Sequence, residues 1–165
     1  MSFAAKLMVP YIQDMNIFRT IAITTALLAP TALAAPAFAD SAPVYTPFHN
    51  SVAVGSYDTV SYFSGKPMKG DKRYVKNYKG AKWYFSTQAN LDLFSANPEA
   101  FAPQYGGYCA WAIAHGKLAK ASPKDWHVED GKLYLNFNAR IQRQWLANKD
   151  ELIVQADGQW PDVLR

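Results

Sequence analysis

A single cysteine, Cys109, stands in a chain of 165 residues. One cysteine cannot close an internal disulfide, so burial alone must hold whatever fold forms. The material for that burial is aromatic. The chain has 5 Trp, 10 Tyr and 9 Phe, and the first Trp is Trp83. Each such ring removes a large area from water. The length is that of one domain.

The start of the chain reads differently from the rest. "MNIFRTIAITTALLAPTALAAPAFAD" opens at Met15 with a basic Arg19 and runs through apolar Ile21 to Leu28. It ends in Ala37-Phe38-Ala39 before Asp40. That is the pattern of a secretory signal peptide with a small-residue cleavage site. The apolar run is short for a membrane span, and an uncleaved anchor is the other reading of it. Residues 1–39 are therefore expected to be a signal peptide, with translation starting at Met15 and a second cleavage site after Ala34 as the alternative. Cleavage near Ala39 predicts a periplasmic or secreted product with no transmembrane segment.

Residues 40–53, "DSAPVYTPFHNSVA", are rich in Pro and Ser and read as a linker or an extended arm. "YDTVSYF", Tyr57 to Phe63, has a short β-type alternation, and Gly65 to Gly70 is a turn. Arg73–Tyr78 and Ala81–Ser86 flank Lys79-Gly80 as a hairpin, with Trp83 and Phe85 on one face. Ser86 or Thr87 then caps a helix carrying Leu91 and Phe94, and Asn97-Pro98 opens a second short helix. Cys109, Ala112 and Ile113 mark a short buried helix between Gly107 and Gly116. "WHVEDGKLYLNF" is a second hairpin turning at Asp130-Gly131. Asn138 caps a helix over Ala139–Asn148, and a last helix near Glu151–Ala156 leads to Trp160-Pro161. Hairpins alternating with helices predict an α+β fold: small β-hairpins packed with short helices, not a parallel βαβ sheet.

Catalytic signatures are missing. There is no G-x-S-x-G, no H-E-x-x-H and no phosphate-binding glycine loop. Asp58 could serve as a general base, but a turn-forming Asp is far commoner. The chain reads as a non-enzyme. A basic run, Lys66, Lys69, Lys72, Arg73, Lys76, Lys79 and Lys82, would suggest nucleic acid inside a cell. An exported protein meets anionic surfaces instead, and edge lysines also block strand addition. No nucleic-acid partner is expected; a weak anionic-surface contact is.

Cys109 has two readings. It is a small core residue, or it is a thiolate ligand or redox thiol. His115 lies six positions on, about 600° round a helix, so the two do not share a face. No cation lies close in sequence to lower the thiol pKa, which favours the core reading. His115 can equally decorate a helix C-terminus.

The middle of the chain resembles a YHS domain. "YDTVSYF", "YKGAKWYFSTQANLDLF" and "NPEAF" carry the resemblance, over about residues 54–102. The rest, with "APQYGGYCAWAIAHG" and "WHVEDGKLYLNF", is similar to the C-terminal half of small exported YHS proteins. The resemblance implies one YHS-type domain with a C-terminal extension over 54–165, which follows the signal peptide expected over 1–39 and the N-terminal arm expected over 40–53. The family's metal-handling members, copper ATPases and TRASH-like sensors, hold metal through cysteines at three positions. Here those positions are Ser61, Ser86 and Asn90, and hydroxyl or amide oxygen is a poor substitute for thiolate.

Two functions follow from the resemblance. The first is an accessory metal-binding role in the cell envelope, copper first, through Cys109, His115, His127 and Met68. The alternative is a metal-free small-ligand or protein-interaction module that has kept the scaffold. Its pocket would draw on Tyr57, Asp58, Ser61, Tyr84, Ser86, Asn90 and Tyr105.

Overall fold

The computed structural model describes residues 40–165. The expected signal segment, with Met15 and the Ala37-Phe38-Ala39 site, lies outside the described residues. Two main hairpins organise the rest. Strands β3 (Asp71–Tyr78) and β4 (Ala81–Phe85) pair antiparallel. Their turn residues Lys79 and Gly80 both take positive φ, 47° and 78°, as a two-residue hairpin turn requires. Strands β5 (Ser122–Glu129) and β6 (Lys132–Asn136) pair in the same way around Asp130 and Gly131. Each hairpin shifts register once, between Asp71 and Val75 and between Ser122 and Trp126.

The expected alternation over Tyr57–Phe63 is corrected. Only Tyr57–Asp58, β1, is extended, pairing with β2 (Met68–Lys69). Val60–Ser64 is a 3₁₀ helix. The cause is local. The Val60 N–H donates to Asp58 Oδ1 at 3.0 Å and Ser61 Oγ donates to the Asp58 carbonyl at 2.6 Å. Such side-chain bonds compete with a strand ladder.

The helices start at the expected caps. Thr87 Oγ1 accepts the Asn90 N–H at the head of α1 (Gln88–Ala96). Asn97 caps α2 (Pro98–Phe101), which has Pro in its first turn. After α3 (Ala110–Ala114), Asn138 Oδ1 accepts the Ile141 N–H and starts α4 (Ala139–Ala147). Helix α5 (Lys149–Gln159) is longer at both ends than the sequence suggested. No helix among the described residues is long and apolar enough to cross a membrane. Small antiparallel pairs packed with short helices make this an α+β fold.

Two apolar clusters form the core. One holds Val44, Tyr62, Trp83, Phe85, Phe94, Leu133 and Leu135. The other holds Tyr105, Ile113, Tyr134, Trp145 and Leu152. Strand β6 serves both, because its side chains alternate. Leu133 and Leu135 face the first cluster and Tyr134 the second, all three at most 2% exposed.

The N-terminal segment is an arm, not a free linker. Val44 is buried in the first cluster. The Tyr45 N–H donates to the Gly106 carbonyl at 2.9 Å, and Tyr108 Oη donates to the Ala42 carbonyl at 2.9 Å. Gly106 permits this approach. A Cβ there would stand 1.9 Å from the Pro43 carbonyl oxygen, and its φ is +61°.

Candidate functional site

Asp58 is fully buried at the end of β1 and gathers polar groups from three segments. Its Oδ2 accepts the Ser86 N–H at 2.9 Å, the Ser86 hydroxyl at 2.6 Å and the Asn90 amide at 2.6 Å. Ser86 sits where β4 ends, and Asn90 in the first turn of α1. Ser61 joins from the 3₁₀ helix. Its Oγ accepts the Met68 N–H at 2.8 Å while donating to the Asp58 carbonyl. The amide nitrogen of Asn90 must face Asp58, since two facing acceptors would repel. This hub pins the β1 turn, the β2 strand and the β4–α1 junction together.

A cleft of about 460 Å³ lies elsewhere, between the two apolar clusters. The rings of Tyr78, Trp83, Tyr105 and Trp160 line it, with Pro43, Val44 and Gly106 along the arm and Lys79, Glu99 and Asp157 as its charged groups. Tyr105 Oη donates to Asp157 Oδ1 at 2.8 Å. Burial, and then this bond, hold the Tyr105 hydroxyl well above the ordinary tyrosine range. Glu99 accepts from Lys79 Nζ at 2.9 Å and from the Tyr78 hydroxyl. The bond from Lys79, with Tyr78 second, lowers the Glu99 pKa.

Residues 60–105 match the family model of the YHS domain. The chain carries a YHS domain. Comparison with curated proteins and with solved structures gives no match.

YHS domains are linked to metal binding, so the hub bears on whether this one suits a metal. Ser61, Ser86 and Asn90, where the resemblance puts cysteines, do converge, and Asp58 is their common partner. Their chemistry does not fit a soft cation. The three offer hydroxyl and amide groups, and two of them spend their donors on Asp58 Oδ2. That oxygen already accepts three hydrogen bonds, which leaves it no lone pair for a metal. The residues of the YHS domain therefore do not fit a copper- or zinc-thiolate centre.

The structure does not bring Cys109, His115, His127 and Met68 together. Cys109 is 1% exposed, with Sγ 3.8 Å from Asn136 Oδ1, and burial pushes its thiol pKa up. His115 donates through Nδ1 to the Trp111 carbonyl at 2.7 Å and stacks on the Trp111 ring. His127 bonds Glu129, which also pairs with Lys149 at 2.8 Å. The Met68 side chain is exposed. Each residue is held by its own neighbours, and no group of three His, Cys, Asp or Glu among the described residues is placed to hold a metal ion.

Of the residues expected to form a pocket around the YHS hub, no two line the same one of two clefts, the aromatic cleft and a shallower one. Asp58, Ser86 and Asn90 line neither cleft, because their polar atoms are turned on one another. Tyr57 is half-buried under Lys69, whose Nζ lies 4.2 Å from its ring centre. Tyr84 lines a shallower cleft with His49, Lys72 and Lys82. Only Tyr105 of the expected pocket residues lines the aromatic cleft. Sequence reasoning missed Glu99, Asp157 and Trp160 as site residues. The doublet Gly106-Gly107 was the one local signal of a close approach there. The basic run is partly engaged: Lys69 donates to the Gly55 carbonyl, Arg73 pairs with Asp71 and Lys79 with Glu99.

Proposed function

We propose that this protein is an exported, metal-independent binding module built on a YHS scaffold, taking a small ligand in the Tyr105–Trp160 cleft. One observation carries the reading: Asn90 and Ser86 close on Asp58 Oδ2 where the family's thiolates would hold metal. A site filled by its own hydrogen bonds acts as a fastener, and the scaffold it fastens shapes the aromatic cleft. Such concave, aromatic-lined clefts with a few placed polar groups are the usual form of small-ligand sites. The chemistry is that of a receptor or carrier and involves no bond-making step.

Metal analysis of the full chain, exported to a periplasm and purified without a histidine tag, tests this. The wild type should hold no stoichiometric copper or zinc. A variant combining Ser61→Cys, Ser86→Cys and Asn90→Cys should acquire metal. One tightly held equivalent of copper or zinc in the wild type would overturn the metal-independent reading in favour of the copper role. Intact mass of the same material tests export: the expected N-terminus is Asp40, and a mass that includes Ile17 to Leu28 would overturn it.

A further inference from the structure

Resting on the binding-module reading above, we infer that the cleft takes a small organic cation, an ammonium-type group on a compact apolar body. The charges in the cleft are unequal. Lys79 is matched by Glu99 at 2.9 Å. Asp157 has no such match. Its Oδ1 accepts, among the described residues, only the neutral Tyr105 hydroxyl. Among the described residues it forms no ion pair, and its Oδ2 accepts no hydrogen bond. Lys79, Glu99 and Asp157 together therefore leave one negative charge without a counter-cation.

The walls favour the same ligand. Tyr78, Trp83, Tyr105 and Trp160 are among the residues that line the cleft, and Tyr78 already holds the Lys79 ammonium 5.3 Å from its ring centre. Tyr105 and Trp160 meet edge to face with centroids 6.0 Å apart, and Tyr105 also holds Asp157. Aromatic faces attract cations through their quadrupole, most strongly when the cation is partly desolvated. A carboxylate beside those rings adds a direct Coulomb term of the same sign. An anion would meet Asp157 with repulsion. A neutral ligand would strip water from Asp157 without replacing it. A bare metal ion fits no better, since hard cations gather about six or more oxygens and this cleft presents two carboxylates, Glu99 already paired with Lys79 and Asp157 beside a phenol.

Three compounds of one shape and different charge test the inference on the full, processed protein: choline, the neutral 3,3-dimethylbutan-1-ol and the anionic 3,3-dimethylbutanoate. Tryptophan fluorescence and the indole N–H resonances of Trp83 and Trp160 report binding. Choline should saturate these signals and bind at least tenfold more tightly than the alcohol. The anion should be weakest. Asp157→Asn, which keeps an acceptor for Tyr105, should weaken choline at least threefold and leave the alcohol unchanged. Asp92→Asn, an equal charge change outside the cleft, should alter neither. Equal binding of the alcohol or the anion would overturn the cation assignment. So would choline binding that is indifferent to Asp157→Asn. If none of the three binds, the cation assignment falls. The binding-module reading falls with it only if larger neutral and anionic aromatic compounds also leave the indole signals unmoved.

Discussion

Asn90 donates its side-chain amide to Asp58 Oδ2 at 2.6 Å, across 32 positions of sequence. The bond joins the first turn of α1 to the end of β1. With the two donors of Ser86 on the same oxygen it forms a closed knot around a buried carboxylate, with Ser86 and Asn90 half-buried. Buried polar networks of this kind stabilise when complete and destabilise sharply when one member is lost.

Asp58→Ala removes the acceptor and strands the donors of Val60, Ser86 and Asn90. Each buried group left without a partner costs about 1–3 kcal/mol; the Val60 N–H is buried and the Ser86 and Asn90 donors are half-buried, so the total should be about 2 kcal/mol or more. Urea denaturation measures it. A loss under about 1 kcal/mol, less than a single orphaned donor, would mean that water enters the hub and replaces Asp58.

Cys109 should behave as a packing residue. Cys109→Ser should cost about 1–3 kcal/mol, the range for burying a hydroxyl. The cost should fall toward the lower end if the hydroxyl reaches Asn136 Oδ1, which the sulfur approaches at 3.8 Å. Native protein should react slowly with thiol reagents, since the thiol is enclosed and its pKa is raised by burial. Alkylation at the rate of a free thiol would contradict both points.

Alkali should unfold the protein in a cooperative step. Burial holds the hydroxyls of Tyr62 and Tyr105 far above the ordinary range and pushes Tyr134 up to about 12. In the unfolded chain a tyrosine ionises near pH 10. Between those values the folded state binds more protons than the unfolded one, so stability falls as pH rises. The contribution is whole below about pH 10 and lost as pH rises through the folded values. Tyrosinate absorbance and circular dichroism should therefore change together. A smooth tyrosinate titration with the dichroism intact would show these rings open to solvent.

Gly106→Ala should lift the N-terminal arm. The added Cβ would stand 1.9 Å from the Pro43 carbonyl, and an L-residue at positive φ adds about 1–3 kcal/mol of strain. The Tyr45–Gly106 bond should break, Val44 should become accessible, and proteases should cut within residues 40–47 faster than in the wild type. Unchanged cleavage would mean that Pro43 does not rest on this turn.

What the sequence disclosed follows from how local each signal is. The hairpin turns at Lys79-Gly80 and Asp130-Gly131, and the caps at Thr87, Asn97 and Asn138, each involve a few neighbouring residues. They stand where the sequence puts them. Tyr57–Phe63 misled because its β-type residues surround an Asp and a Ser that bond back to the chain. The hub was half legible. Resemblance marked Ser61, Ser86 and Asn90, and the expected pocket set Asp58 beside them, but only tertiary structure shows Asp58 Oδ2 taking up the donors of Ser86 and Asn90. The cleft was least legible. Its walls come from the arm, the β3–β4 turn, the Ala102–Gly106 segment and the end of α5, and nothing beside Asp157 in sequence announces what it faces.

Strand β6 sets a limit on how this protein can be dissected. The family match ends at residue 105, yet Leu133 and Leu135 complete the layer over Trp83, Phe85 and Phe94. A fragment trimmed to the family boundary would leave that layer open to water, with apolar side chains exposed on a sheet of two strands. Such pairs are marginal on their own. The segment that the family model matches is therefore shorter than the segment over which this core closes. Grafts, truncations and domain-swap chimaeras of this chain need the second hairpin to travel with the first.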